Sequence, residues 1–282
     1  RKMQNYIFLT KPLVYILLLI SSISSIKAQD SINVSILTCG TGTSEVYQAY
    51  GHTGIRVKNF TKNTDEVYNY GMFNFNEEGF LLKFIQGKLL YFVATEEFSS
   101  FMYDYEYYGR SVREQLLNLN SEQKNQLISA LEKNALPENR YYLYDFIYNN
   151  CSSQPRDLLR NSIGEGFEFK TLASENTETV REIVDRHMKY NEWLDFGIDL
   201  LLGVRFDVKA DADTRMFLPE ELMIEFDSTI FNGQAIVSDS RILLQGREQI
   251  IPKIIDPTLL FWSILGLVLM FQIFFSTASF RK

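Results

Sequence analysis

Residues 148–159 read Tyr148-Asn149-Asn150-Cys151-Ser152-Ser153-Gln154-Pro155-Arg156-Asp157-Leu158-Leu159. Proline is accommodated in the first turn of a helix, where its missing N–H would have no intrahelical acceptor anyway. The segment therefore predicts a helix that begins near Ser152 or Ser153 and runs to about Arg160. That start places the Cys151 sulfur at the positive end of the helix, beside backbone N–H groups without helical partners. Such a setting is expected to lower a thiol pKa and to supply donors for an oxyanion.

Thiol chemistry also needs a base. The chain offers two histidines, His52 and His187. His52 lies in Tyr50-Gly51-His52-Thr53-Gly54-Ile55-Arg56-Val57, where small neighbours leave the ring accessible and the following strand gives it a rigid support. His187, close to Asp185, Arg186 and Lys189, is expected on a solvated helix face. The residues alone leave a second reading open, because a lone cysteine is often a small buried apolar residue and a Gly-flanked histidine can be structural. Cys39, at the end of an apolar strand, is expected to pack, although two cysteines could also pair in an oxidising compartment. The aromatic group Phe101, Tyr103, Tyr105, Tyr107 and Tyr108 is expected to pack rather than to line a lipid groove. The histidines and cysteines lack metal-ligand spacing, so neither a metal nor any other cofactor is expected. Gly-rich phosphate loops and a Gly-x-Ser-x-Gly elbow are absent from the sequence.

Around these motifs the pattern is strands followed by helices, an α+β class. Strands are predicted at 32–37, 54–57, 66–70, 89–95 and 112–119, with a polar hairpin near Lys62–Asp65. Helices are predicted near 44–50, 77–86, 98–108, 121–135, 178–188, 193–202 and 219–226. Tyr141–Tyr148 is an aromatic approach to the cysteine.

The two ends of the chain differ. Arg1, Lys2 and Lys11 precede an apolar run at Leu13–Ile20 and a small-residue stretch ending at Ala28, which reads as an export signal over 1–28; a retained signal anchor is the alternative. Thr258–Phe275 carries no charge and reads as a transmembrane helix within 258–278. Arg281 and Lys282 beyond it predict a cytoplasmic C-terminus by the positive-inside rule, with residues 29–257 outside. That exported part holds 22 basic and 35 acidic residues, a formal charge of −13. Nucleic acid and anionic headgroups would repel it, so membrane proximity must come from the anchor. The expected division is a thiol catalytic domain over 29–170 and a helical and irregular extension over 171–257.

Gly40–Val57, ending in the Tyr-Gly-His-Thr-Gly-Ile-Arg-Val run, and the Asn-Cys-Ser-Ser…Arg-Asp-Leu-Leu segment together resemble the Lnb N-terminal periplasmic domain family of bacterial lipoprotein N-acyltransferases. The resemblance covers roughly residues 32–165. It implies a permuted papain-like (NlpC/P60-like) fold, in which a strand histidine precedes a cysteine at a helix N-terminus. It further implies Cys151 as nucleophile and His52 as its base, with Asn69 as the orienting third residue and Glu66 behind it. The Ser152 N–H and Asn150 are then the expected oxyanion donors, and Tyr50, Arg56 and Arg156 the expected substrate-binding residues. The implied reaction moves an acyl chain from a phospholipid, through a cysteine thioester, to the α-amine of a diacylglyceryl lipoprotein. The implied setting is the bacterial envelope, with an inner-membrane anchor and a periplasmic catalytic domain. A cell-envelope cysteine amidase or peptidase would use the same site.

Overall fold

The apolar run Ile32–Cys39 forms β1, and its side chains divide between two cores, with Val34 and Ile36 on one side and Leu37 and Cys39 on the other. A strand covered on both faces sits in the middle of a sheet. In the computed structural model, which describes residues 31–74, 76–169, 178–188, 191–247 and 255–279, β1 does so. The segment read as an export signal, with its cleavage after Ala28, lies outside the described residues, as do Arg281 and Lys282.

Next come β2 (His52–Asn59) and β3 (Thr64–Met72), which form the expected hairpin. The Asn59 side chain closes its turn by accepting from the Thr61 and Lys62 N–H groups at 3.0 and 2.9 Å. The chain continues through α1 (Phe80–Ile85), β4 (Leu90–Glu97), α2 (Phe98–Tyr107) and β5 (Val112–Leu117). Then follow α3 (Ser121–Ala135), β6 (Tyr141–Leu143), α4 (Ser153–Ile163) and β7 (Phe167–Glu168). Beyond these lie α5 (Val180–Met188), α6 (Glu192–Leu202), α7 (Ala212–Arg215) and α8 (Pro219–Ser228). The last elements are β8 (Ile230–Phe231), β9 (Gln234–Ala235), β10 (Val237–Leu244) and α9 (Pro257–Ser279).

Seven strands make one antiparallel sheet in the order β10-β5-β1-β2-β3-β4-β6, and β7, β8 and β9 make a small second one. The main core lies on one face, where Ile55, Tyr68, Tyr70 and Val93 meet Leu127 and Leu131 of α3, Leu159 of α4 and Leu222 and Phe226 of α8. On the other face Phe101 of α2 covers Leu37, Cys39, Val67 and Val112. A mixed α/β architecture is therefore established. Residues 219–244 are integral to it, since α8 fills the main core and β10 pairs with β5. Nothing in the sequence pattern predicted β10, whose middle residues Ser238–Arg241 are exposed and polar.

Among the described residues one helix is long and apolar enough to cross a membrane, over Pro257–Phe275, with a mean hydropathy of 2.2 and its apolar window unburied. It matches the predicted segment closely.

Candidate active site

Cys151 stands one residue ahead of Ser152, the N-cap of α4, so the helix begins where Pro155 required it. The expected open donors are not there, however. Asn150 Oδ1 accepts from the N–H groups of Ser152 and Ser153 at 2.8 and 2.9 Å, and the Asn150 amide donates to the carbonyls of Phe146 and Phe217. Asn150 thus caps the helix with both ends of its side chain occupied. The expectation that Ser152 N–H and Asn150 serve as oxyanion donors is corrected by this arrangement, because both are already paired.

The thiol setting also departs from the expectation. Burial pushes the Cys151 pKa up, against the N–H of Thr53, the Ser152 hydroxyl, its own N–H and the more distant Arg110 cation, all of which favour the thiolate. Desolvation outweighs the helix end and favours the neutral thiol. Both cysteines are free. Cys39 is fully covered, and burial raises its pKa to about 12. It packs, as expected.

His52 opens β2, opposite Cys39 in the β1–β2 register. Gly51 precedes it with φ +82°, and a Cβ there would lie 2.4 Å from the Cys39 carbonyl oxygen, so only glycine lets the chain enter the strand here. The imidazole Nε2 is 3.1 Å from Asn69 Oδ1, and Asn69 Nδ2 donates to Glu96 at 2.6 Å. An ionised carboxylate only accepts, so Glu96 fixes the amide with its oxygen toward the ring. Nε2 then carries the proton, and Nδ1 holds the basic lone pair. Burial lowers the His52 pKa to about 4, opposed by the Asn69 bond and reinforced by Arg110. The ring is a neutral base at physiological pH.

The two segments meet at Thr53. Its N–H donates to the Cys151 sulfur, and its hydroxyl is 3.0 Å from that of Ser152. On the neighbouring strand the β3–β4 register shifts between Asn69 and Met72, and Gly71 sits in that irregularity with φ +86°. A Cβ on Gly71 would be 3.1 Å from the Cys151 Cβ. The bulge therefore opens the space into which the cysteine fits.

The structure brings Cys151, Ser152, Asn150, His52 and Asn69 into one neighbourhood. Glu66 is not part of it. Glu66 is exposed, and Glu96 takes the place behind Asn69. Tyr50 packs edge-on against Phe146 at 5.2 Å, just ahead of the cysteine segment. Arg56 is buried, bidentate to Asp65 at 2.7 and 2.6 Å, bonded to Glu114 at 2.9 Å and 3.4 Å from the Phe98 ring. Arg156 is also buried, holding Asp157 and the Asp213 carbonyl. Both guanidiniums are engaged by the protein itself. His187 is not on a solvated face either. Its Nδ1–H donates to the Ile183 carbonyl at 2.8 Å, and Nε2 lies 3.3 Å from Glu220.

Arg110 escaped sequence reasoning. It is buried, donates from Nε to the Gly40 carbonyl at 2.9 Å, and lies over the Tyr105 ring. Its Nη2 finds no hydrogen-bond partner among the described residues. Tyr91, Tyr142 and Tyr144 stand close enough to Cys151 for a thiolate there to raise each phenol's pKa further than burial alone does.

A family model described as the Lnb N-terminal periplasmic domain matches residues 24–186, more than half of the 282-residue chain. The chain belongs to the Lnb N-terminal periplasmic domain family. No curated protein and no solved structure matches it. The Lnb match contains both site segments and every strand of the main sheet except β10, and it stops within α5. Membership is consistent with an envelope protein that processes lipoproteins, and the family description together with α9 fits a membrane-anchored periplasmic protein.

Proposed function

We propose that this Lnb-family protein is a lipoprotein N-acyltransferase in which Cys151 is the nucleophile, His52 the base and Asn69 the orienting residue. The observation that carries this reading is the chain of contacts Glu96–Asn69–His52, on a strand whose next residue donates its N–H to the Cys151 sulfur. A strand histidine followed later by a cysteine at a helix start also supports a permuted papain-like arrangement of the domain.

In the first half-reaction the Cys151 sulfur attacks the carbonyl carbon of a phospholipid ester. The S–C bond forms and the C–O bond breaks. His52 Nδ1 takes the thiol proton and passes it to the departing alcohol oxygen, which leaves a lysophospholipid and an acyl thioester. In the second half-reaction the α-amine of a diacylglyceryl-cysteine lipoprotein attacks the thioester carbon. The C–N bond forms, the C–S bond breaks, and the amine proton returns through His52 to the thiolate.

A buried neutral thiol held by the N–H of the residue that follows a neutral imidazole suits this order, because the proton moves only as the sulfur attacks. With the Ser152 and Ser153 N–H groups occupied, the Cys151 N–H, which points at its own sulfur, is our assignment for the oxyanion donor. The tyrosines around the thiol give an acyl chain an apolar wall. Arg56 and Arg156 are assigned to the scaffold. The membrane crossed by α9 is taken to be the inner one, with the domain in the periplasm.

The test is mass spectrometry of a lipoprotein N-terminal peptide from cells lacking any other N-acylating enzyme. Wild type should give a third acyl chain and Cys151→Ala should not. A third chain that persists in the Ala variant would exclude the proposed role.

A further inference from the structure

Helix α6 carries an apolar stripe whose C-terminal end the protein leaves uncovered. Trp193, Phe196 and Leu200 recur at spacings of three and four and so lie along one side of α6, with Leu201 flanking them, and Val204 follows in the turn after Gly203, where α6 ends. Leu200, Leu201 and Val204 are 71%, 62% and 82% exposed. One flank of the stripe is acidic, with Asp199 paired to Arg181 of α5. The side opposite the stripe, carrying Ile198 and Leu202, packs onto the cluster of Ile147, Val184, Phe206 and Phe217.

What covers the stripe is indicated at its N-terminal end. Trp193 and Phe196 both pack against Phe261 of the membrane helix α9, with ring centroids 6.4 and 5.3 Å apart. The Trp193 indole N–H donates to the Ile255 carbonyl at 2.7 Å, just before α9 begins. The exposed leucines thus continue a surface that already touches the anchor about a turn below its start. Tryptophan with its N–H satisfied at a helix entrance is the side chain expected at a bilayer–water boundary.

We propose that α6 lies in the headgroup region of the bilayer that α9 crosses, with Leu200, Leu201 and Val204 inserted among the upper acyl segments. The partner is the lipid surface itself. Apolar burial supplies the attachment, since the strongly acidic domain gains little from anionic headgroups. This inference rests on the anchor and does not depend on the acyl-transfer reading.

The full chain, reconstituted in phosphatidylcholine vesicles, tests it. Spin labels are placed singly at Leu200→Cys, Val204→Cys and, as an aqueous control, Lys133→Cys on α3, in a Cys151→Ser background. Relaxation by oxygen, which partitions into lipid, is compared with relaxation by a water-soluble nickel chelate. Labels at 200 and 204 should be several-fold less accessible to nickel than the label at 133 and more accessible to oxygen. Nickel accessibility equal to the control at both sites would overturn the proposal. Spin–spin broadening at 200 and 204 that disappears on dilution with unlabelled protein would also overturn it, by showing a second copy on the stripe. Loss of the third acyl chain plays no part in the readout, so either reading can fail alone.

Discussion

Asn69 holds His52 in one tautomer: its Oδ1 sits 3.1 Å from Nε2, while Glu96 pins its amide nitrogen at 2.6 Å. This leaves Nδ1 as the basic nitrogen. Asn69→Ala should lower kcat by at least roughly tenfold with little change in KM, because the ring loses its orientation and not its contact with substrate. Glu96→Gln should be milder, since a glutamine oxygen still accepts from the Asn69 amide. Acyl-transfer kinetics on both variants check the order, and equal losses would argue against the relay.

The His52 pKa of about 4 sets a pH window. Between that value and the ordinary histidine value of about 6.5, the unfolded chain binds a proton that the folded one does not. Stability therefore rises with pH across this window and is lost as pH falls through it, by at most roughly 3 kcal/mol. Thermal melts from pH 4 to 7 on wild type and His52→Ala should differ in slope, with the variant the flatter.

Burial holds the Cys151 thiol above its ordinary pKa. Its alkylation by iodoacetamide should keep rising with pH beyond the point, about 8.5, where an unperturbed thiol is half ionised. A rate plateau already reached in mildly acidic solution would mean that a preformed thiolate–imidazolium pair exists instead.

Arg110 lowers the pKa of both Cys151 and His52 through its charge. Arg110→Met should therefore raise both together, His52 as followed by NMR titration and Cys151 by its alkylation profile, and Arg110→Lys should restore most of the difference. A purely structural role at the Gly40 carbonyl would leave both titrations where they were.

Gly71 combines φ +86° with a Cβ position 3.1 Å from that of Cys151. Gly71→Ala should cost about 1–3 kcal/mol from backbone conformation alone. It should also slow Cys151 alkylation in the protein that still folds, since the methyl group crowds the nucleophile's own side chain.

The sequence carries the signals for several elements that frame this site. Pro155 fixes the start of α4, and the apolar run from Ile32 with the polar turn near residues 62–65 marks three central strands. Glu66 was misplaced because it stands three residues from Asn69 on one strand, which turns the two side chains to opposite faces. That parity was available from the numbering. Glu96 was not: it comes from β4, where pairing opposite Val67 puts it on the Asn69 face, and the sequence does not give that register. The paired N–H groups of Ser152 and Ser153 also required coordinates, because an asparagine before a cysteine does not reveal where its side chain turns. Polar β10 and solitary Arg110 carry no periodic signal at all.

The apolar cluster under α6 includes Ile147, with Phe146 and Tyr50 packed against it, so it underlies the segments that carry the sulfur and the imidazole. A helix resting on lipid and a reaction centre built on the same cluster cannot change height independently. On the two proposals together, the depth at which an ester bond must be presented would follow from that packing, much as a gauge block sets a gap. Lipids whose scissile carbonyl cannot rise to that level would go unmodified, whatever their headgroup.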